Sequence, residues 1–147
     1  MFTFGKTSKR RLEDAAKAVQ GIMQEAIETA PFDFTILDVF RDKTRQNEAF
    51  NAKRSTKQWP ESIHNVLPVW AVDVARFYKT NPHIRWDNFI DFKVLFDHIK
   101  KVAKKHGYEA IWGGDWDGDG DTYEHSFIDM PHIQFKKIKK SGGKKDE

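Results

Sequence analysis

An aspartate stands in the middle of a short apolar run, Ala71-Val72-Asp73-Val74-Ala75. The β-branched residues around it predict a strand buried in a sheet. A carboxylate in such a strand is costly unless it is paired or bound to a metal. Whatever this chain folds into must bring a partner to Asp73, and that requirement narrows the fold more than any other feature.

The 147 residues contain no cysteine, so disulfide frameworks and thiolate zinc sites are excluded. A transition-metal site must use His, Asp and Glu. Of the six histidines, His98 and His106 fall on a long predicted helix and read as surface or rim residues. His83 sits in a turn after Asn81-Pro82, and His125 follows an acidic loop. His64, at a loop-to-strand entry, and His132, at the start of Ile133-Gln134-Phe135, both lie at edges of the predicted sheet. Together with Asp73 they make two imidazoles and a carboxylate from different elements. That set leaves a fourth zinc position for water, as a catalytic site requires. In Asp129-Met130-Pro131-His132 a carboxylate precedes one ligand by three residues. Asp129 is placed to take a proton from water and return it to a leaving amine. The competing reading of this tetrapeptide is an ordinary turn before a strand.

Between Trp112 and Asp129 the chain carries Asp115, Asp117, Asp119 and Asp121, broken by glycine. They follow the first half of an EF-hand loop, with Gly120 at the sixth place. Position twelve is Ser126 rather than the bidentate glutamate, and no flanking helix pair is evident. The loop is a candidate Ca²⁺ site, or else a tight acidic turn.

One domain of residues 1–137 is expected, followed by a disordered basic tail, 138–147. Ser8 is expected to cap a helix running to about Thr29, with Leu12, Ala15, Val19, Ile22, Met23, Ala26 and Ile27 on one face. Phe34–Phe40 reads as a strand and Thr44–Ala52 as a short helix. A loop covers Lys53–Ile63. A long helix capped by Asp87 runs to about His106, with Gly107 closing it. Ala110–Trp112 and His132–Lys136 complete the strands. Helices and strands do not alternate regularly, which points to a small α+β domain, helices on a mainly antiparallel sheet.

The net charge of +3 hides an asymmetry. Lysines crowd the C-terminus from Lys136 to Lys145, and Lys6, Lys9, Arg10 and Arg11 the start, while 113–129 holds six acids and no Lys or Arg. This suits an anionic partner, or simply a solvated tail. The N-terminus lacks the apolar segment of a secretory signal, and no apolar run is long enough to span a membrane. Production in the cytoplasm is expected, with any wall substrate reached after membrane permeabilisation. A non-catalytic polyanion-binding module would not need Asp73, and a calcium-binding structural protein would leave His64 and His132 unexplained.

Ser62-x-His64, Ala71-Val72-Asp73, Trp112-Gly-Gly-Asp-Trp116 and Asp129-x-Pro-His132 together resemble the VanY/VanX-type zinc peptidases, and phage endolysins of that group in particular. The likeness spans about Phe4 to Phe135 and implies the Hedgehog/DD-peptidase-like α+β fold. It implies Zn²⁺ on His64, Asp73 and His132, and Asp129 as the catalytic carboxylate. Arg41 would clamp the substrate carbonyl, Ser62 would contact substrate or support the ligands, and Gln46 would contact substrate. The implied partner is peptidoglycan, not nucleic acid, and the implied state is a monomer. The implied activity is an L-alanyl-D-glutamate endopeptidase, or alternatively a D-alanyl-D-alanine carboxypeptidase. The nine positions from His64 to Asp73 exceed the family's commonest spacing and lack its glycine, so Asn65–Trp70 must bulge.

Overall fold

The computed structural model describes residues 1–116 and 129–139. Its elements are α1 (Lys6–Leu12), α2 (Lys17–Glu28), β1 (Phe34–Asp38), α3 (Lys43–Asn51), a 3-10 turn (Ile63–Asn65), β2 (Ala71–Arg76), α4 (Phe89–Lys105), β3 (Tyr108–Trp112) and β4 (His132–Lys137). The strands form one sheet in the order β1-β2-β4-β3, and every neighbouring pair is antiparallel. The expected α+β class is what the chain adopts.

Strand alternation sorts the sheet into two faces. On β2, Arg76 is in phase with Val72 and Val74, and its guanidinium reaches Asp91 of α4 at 3.1 Å. The long helix therefore covers that face, and Asp73 points to the other. The register pairs Asp73 with His132 and Ala71 with Gln134, so the polar residues of β4 share the face of Asp73. Ile133 and Phe135, out of phase with them, are buried.

Helix α4 buries Phe92, Leu95, Phe96, Ile99, Val102 and Ala103, a stripe at three- and four-residue steps. Each large apolar side chain so buried contributes roughly 1.5–3 kcal/mol, whereas a cap contributes about 1 kcal/mol. The stripe thus fixes the helix, and its cap is a detail. That cap is Asn88, whose side chain accepts from the Asp91 amide, not Asp87. Gly107 follows the helix at φ +87°, a left-handed value that glycine adopts without strain.

The single helix expected from Ser8 to Thr29 is in fact two. The Ala16 amide donates to the Val69 carbonyl and the Val69 amide to the Asp14 carbonyl, both at 2.9 Å. Backbone groups that would continue a helix are spent on this bridge, a long-range pairing that local periodicity does not reveal. Ser8 is not a cap either, since Gly5 holds that position. Ser8 is buried, and its hydroxyl lies 3.0 Å from both the Thr35 hydroxyl and the Ile36 amide. It ties α1 to β1. The Asn65–Trp70 stretch makes the excursion its length demands, with Val66 and Leu67 exposed and Val69 buried against Ala15.

Among the described residues no helix is long and apolar enough to cross a membrane. Residues 140–147, most of the expected tail, lie outside the described residues.

Replacing Ser8 by Ala leaves the buried Ile36 amide without its acceptor. The expected loss is about 1–3 kcal/mol of stability, read from the urea midpoint. An unchanged midpoint would show that the Ser8 hydroxyl contributes nothing to the junction of α1 and β1.

Candidate active site

Two neighbouring strands and one short turn bring three side chains to one point. Asp73 and His132 are cross-strand partners on β2 and β4. His64 comes from the 3-10 turn Ile63–Asn65 and is 1% exposed. His64 Nε2 stands 3.1 Å from His132 Nδ1 and 3.3 Å from Asp73 Oδ1, and His132 Nδ1 stands 3.4 Å from the same oxygen. Among the described residues this is the group able to hold a metal ion.

The outer nitrogens decide what the inner ones present. His64 Nδ1 lies 2.6 Å from the Val39 carbonyl, which can only accept, so the ring's proton is on Nδ1 and Nε2 faces inward as a lone pair. His132 Nε2 lies 2.7 Å from Gln134 Oε1, which orients that ring likewise and leaves Nδ1 inward. Asp73 Oδ1 is buried with no hydrogen-bond partner. With both rings neutral, two lone pairs and a carboxylate oxygen converge with no donor between them, an arrangement that calls for a cation. Burial opposes ionisation of Asp73, but the imidazoles beside it hold its pKa far below the usual carboxylate range. Burial also disfavours the His132 cation, and the Asp73 carboxylate overrides that and raises its pKa.

Asp129 is positioned by backbone. Its amide donates to the Gly113 carbonyl (2.9 Å), its carbonyl accepts from the His132 amide (3.1 Å), and Gly113 in turn donates to the His132 carbonyl (2.8 Å). The approach is so close that a Cβ on Gly113 would meet the Asp129 carbonyl oxygen at 2.2 Å. The Trp112 indole donates to the Met130 carbonyl and fixes the other side of the turn. Burial, then the negative charge of Asp73, push the Asp129 carboxyl up to about 6.

Two clefts meet here. One of about 710 Å³ is lined by Ser62, His64, Trp116, His132 and Gln134 among others. The other, of about 550 Å³, is lined by Asp73, Trp86, Met130, Lys53 and Arg54 among others. Arg41 and Asp129 line both. The Arg41 side chain is largely buried, its Nε 3.5 Å from Asp38 Oδ2 with no hydrogen-bond partner. Ser62 lies on the wall of the larger cleft, and its hydroxyl accepts from the His64 amide. Gln46 lines neither cleft and is fully buried. Asp115 lies in the turn after Trp112. Asp117, Asp119 and Asp121 lie outside the described residues, so the calcium expectation has no geometry beside it. Sequence reading missed Val39, whose contribution is a backbone carbonyl and carries no side-chain signal. It also missed Gln134, although that residue stands two positions after His132 and hence on its face.

The fold and site define a small α+β protein with a His-Asp-His constellation able to hold a metal ion at the junction of two clefts. A family profile described as phage L-alanyl-D-glutamate peptidase matches residues 1–136. The L-alanyl-D-glutamate peptidase of Escherichia phage T5 is 29% identical over 125 residues, covering 84% of this chain and 88% of that protein. The crystal structure of the Serratia marcescens L-Ala D-Glu endopeptidase ChiX shares the fold with a TM-score of 0.70, at 21% identity over 91% of this chain and 90% of its own. The chain belongs to the phage L-alanyl-D-glutamate peptidase family.

Gly113→Ala is expected to destabilise by roughly 1–3 kcal/mol, because the added methyl overpacks against backbone. Gly21→Ala is the control: its nearest neighbour would be the end of the His106 side chain at 3.9 Å. Urea unfolding of both variants checks this, and equal stabilities would show that the Gly113–Asp129 approach is not tight.

Proposed function

We propose that the chain is a zinc peptidase that hydrolyses the L-alanyl-D-glutamate bond in peptidoglycan stem peptides. The observation that carries the metal reading is the triangle of inward-facing acceptors. Donors at zinc–ligand distance around a tetrahedral ion stand roughly 3.3–3.5 Å apart. The edges here are 3.1, 3.3 and 3.4 Å. The absence of cysteine and the outward hydrogen bonds of both imidazoles suit a histidine–carboxylate zinc site.

Zinc, when bound, supplies the Lewis acidity that makes water nucleophilic near neutral pH and polarises a carbonyl. The chain's own residues supply the rest. His64, Asp73 and His132 hold the ion. Asp129 accepts the proton of the attacking water and delivers it to the leaving amine. Arg41, beside Asp129 in both clefts, holds the scissile carbonyl oxygen as negative charge develops. Ser62 keeps the His64 turn in place through its hydroxyl.

The choice of endopeptidase over D-alanyl-D-alanine carboxypeptidase is supported by the family and by the clefts. Among the described residues, open volume lies on both sides of Asp129 and Arg41. A substrate can therefore continue in both directions from the scissile bond. A carboxypeptidase instead closes one side around a terminal carboxylate. In this reading the protein acts as a monomer on the cell wall, reached once the membrane is permeabilised.

A paired experiment tests this. His64→Ala should lose zinc and activity together. Asp129→Ala should keep about one zinc per chain by elemental analysis yet lose turnover by roughly two to four orders of magnitude. Purified stem peptide should be cut between L-alanine and D-glutamate, as mass spectrometry of the products would report. Full zinc in His64→Ala, near-normal turnover in Asp129→Ala, or release of terminal D-alanine instead would each overturn the corresponding part.

From the acidic loop alone we further propose that Asp115, Asp117, Asp119 and Asp121 bind Ca²⁺ and that the ion activates. Calcium relieves the repulsion among neighbouring carboxylates just before Asp129. Titration calorimetry on zinc-loaded protein should show binding accompanied by a rise in rate. No heat at millimolar calcium would remove the site.

A further inference from the structure

The three members of the metal-binding group are not held alike. Asp73 and His132 ride on neighbouring strands, and the ladder between β2 and β4 sets their separation. His64 rides on a 3-10 turn of three residues. Such a turn has too few internal bonds to hold its own position. Something outside it must do for His64 what the sheet does for the other two.

Two buried amide side chains are arranged for that task. Gln46, on α3, is 0% exposed and Asn65, at the end of the turn, 6%. Gln46 Oε1 accepts from Asn65 Nδ2 at 3.1 Å. Gln46 Nε2 donates to the Lys57 carbonyl at 2.7 Å and to the Ser55 hydroxyl at 3.1 Å, both on the rim of the larger cleft. Asn65 Nδ2 also donates to the Arg41 carbonyl at 3.2 Å, and Asn65 Oδ1 accepts from the Ser62 amide at 2.9 Å. The Arg41 amide closes the circuit by donating to the His64 carbonyl at 2.8 Å. The Gln46 carboxamide is thus bonded to protein at both ends and buried away from both clefts.

We propose that Gln46 and Asn65 form a buried strut that positions His64 and the cleft rim, and that Gln46 is a positioning residue rather than a substrate contact. The proposal rests on the zinc peptidase reading for its effect on the metal. Helix α3 is itself tied back by Arg45, which donates to Asp38 Oδ1 and to the Phe40 carbonyl, both at 2.8 Å. Asn65 transmits its position to the turn, and the bonds to Ser55 and Lys57 transmit it to the rim. Removing the Gln46 amide leaves the Lys57 carbonyl with only the longer bond from the Ser55 hydroxyl (3.4 Å) and leaves Asn65 tied only to the turn and Arg41. Asn65 is 6% exposed, so its lost bond is not recovered from water. The turn then relaxes, and His64 no longer meets the other two ligands at the right separation.

The test is Gln46→Met, which keeps the length and bulk of the side chain and removes both hydrogen-bonding arms. Zinc affinity, measured by competition with a chromophoric chelator, should weaken by about ten- to a hundred-fold, the scale of other supporting-residue losses at metal sites. Asn65→Ala should weaken it similarly, and the double variant should lose less than the product of the two. A substrate contact predicts the opposite pattern, an unchanged zinc affinity with a raised KM, and that result would overturn the proposal. A second measurement needs no variant. In the wild-type protein the Gln46 side-chain amide resonances should be protected from solvent exchange and should not move when an uncleaved stem-peptide analogue is added. Rapid exchange or a ligand-induced shift would also overturn it. The wild-type titration separates the two readings: failure of the wild-type chain to take up zinc counts against the metal, while the Gln46 resonances report on the strut whatever the metal does.

Discussion

Mutual repulsion of buried acceptors is the constraint on which this structure turns. Asp73 Oδ1 and two imidazole lone pairs are brought within 3.1–3.4 Å of one another where no protein donor stands between them. Packing alone would drive such groups apart. The β2–β4 register, the Val39 carbonyl and the Gln134 side chain hold them together and fix which atoms face inward. Much of the fold on the cleft side serves that end. The Ser62 cap, the Gly113–Asp129 approach and the Trp112–Met130 bond all stabilise segments that enter or leave the group.

The same crowding shapes the neighbour. Asp129 is raised to about 6 first by burial and then by the charge of Asp73, with His132, His64 and Arg41 pulling the other way. A carboxyl in that balance is held above the range of an exposed aspartate. Arg41 touches the centre differently. Its backbone is bonded to His64 and its side chain reaches both clefts, so one residue couples ligand geometry to the space where a peptide would lie.

The fold class was legible because the pattern was. The β-branched apolar runs at Phe34 and Ala71, the alternation at Ile133-Gln134-Phe135 and the stripe on α4 follow from burial, which dominates the energetics. What sequence reading missed were long-range backbone pairings. The break between α1 and α2 depends on Val69, more than fifty residues on, and periodicity carries no trace of it. The site was legible only in combination. Asp73 stood out because a carboxylate does not belong in an apolar strand, and His64 and His132 because both flank the sheet. Gln46 stood out in the sequence as a candidate substrate contact, but its place was not legible there. A polar side chain near a site suggests contact with ligand, and burial at zero exposure, with both ends bonded to protein, became apparent only in three dimensions.

The separation along the chain between the two imidazoles has a consequence for the life of the molecule. His64 and His132 are 68 residues apart, and the segment between them contains β2, α4 and β3. A cation joining them closes a loop of nearly half the polypeptide. The entropic cost of closing such a loop in the unfolded chain is several kcal/mol by the usual logarithmic dependence on length. In the zinc reading proposed above, such an ion would bind the folded chain and not the unfolded one, so the site would also act as a fastening. A molecule stripped of the ion by a chelating or acidic environment would then tend to lose its shape along with its chemistry.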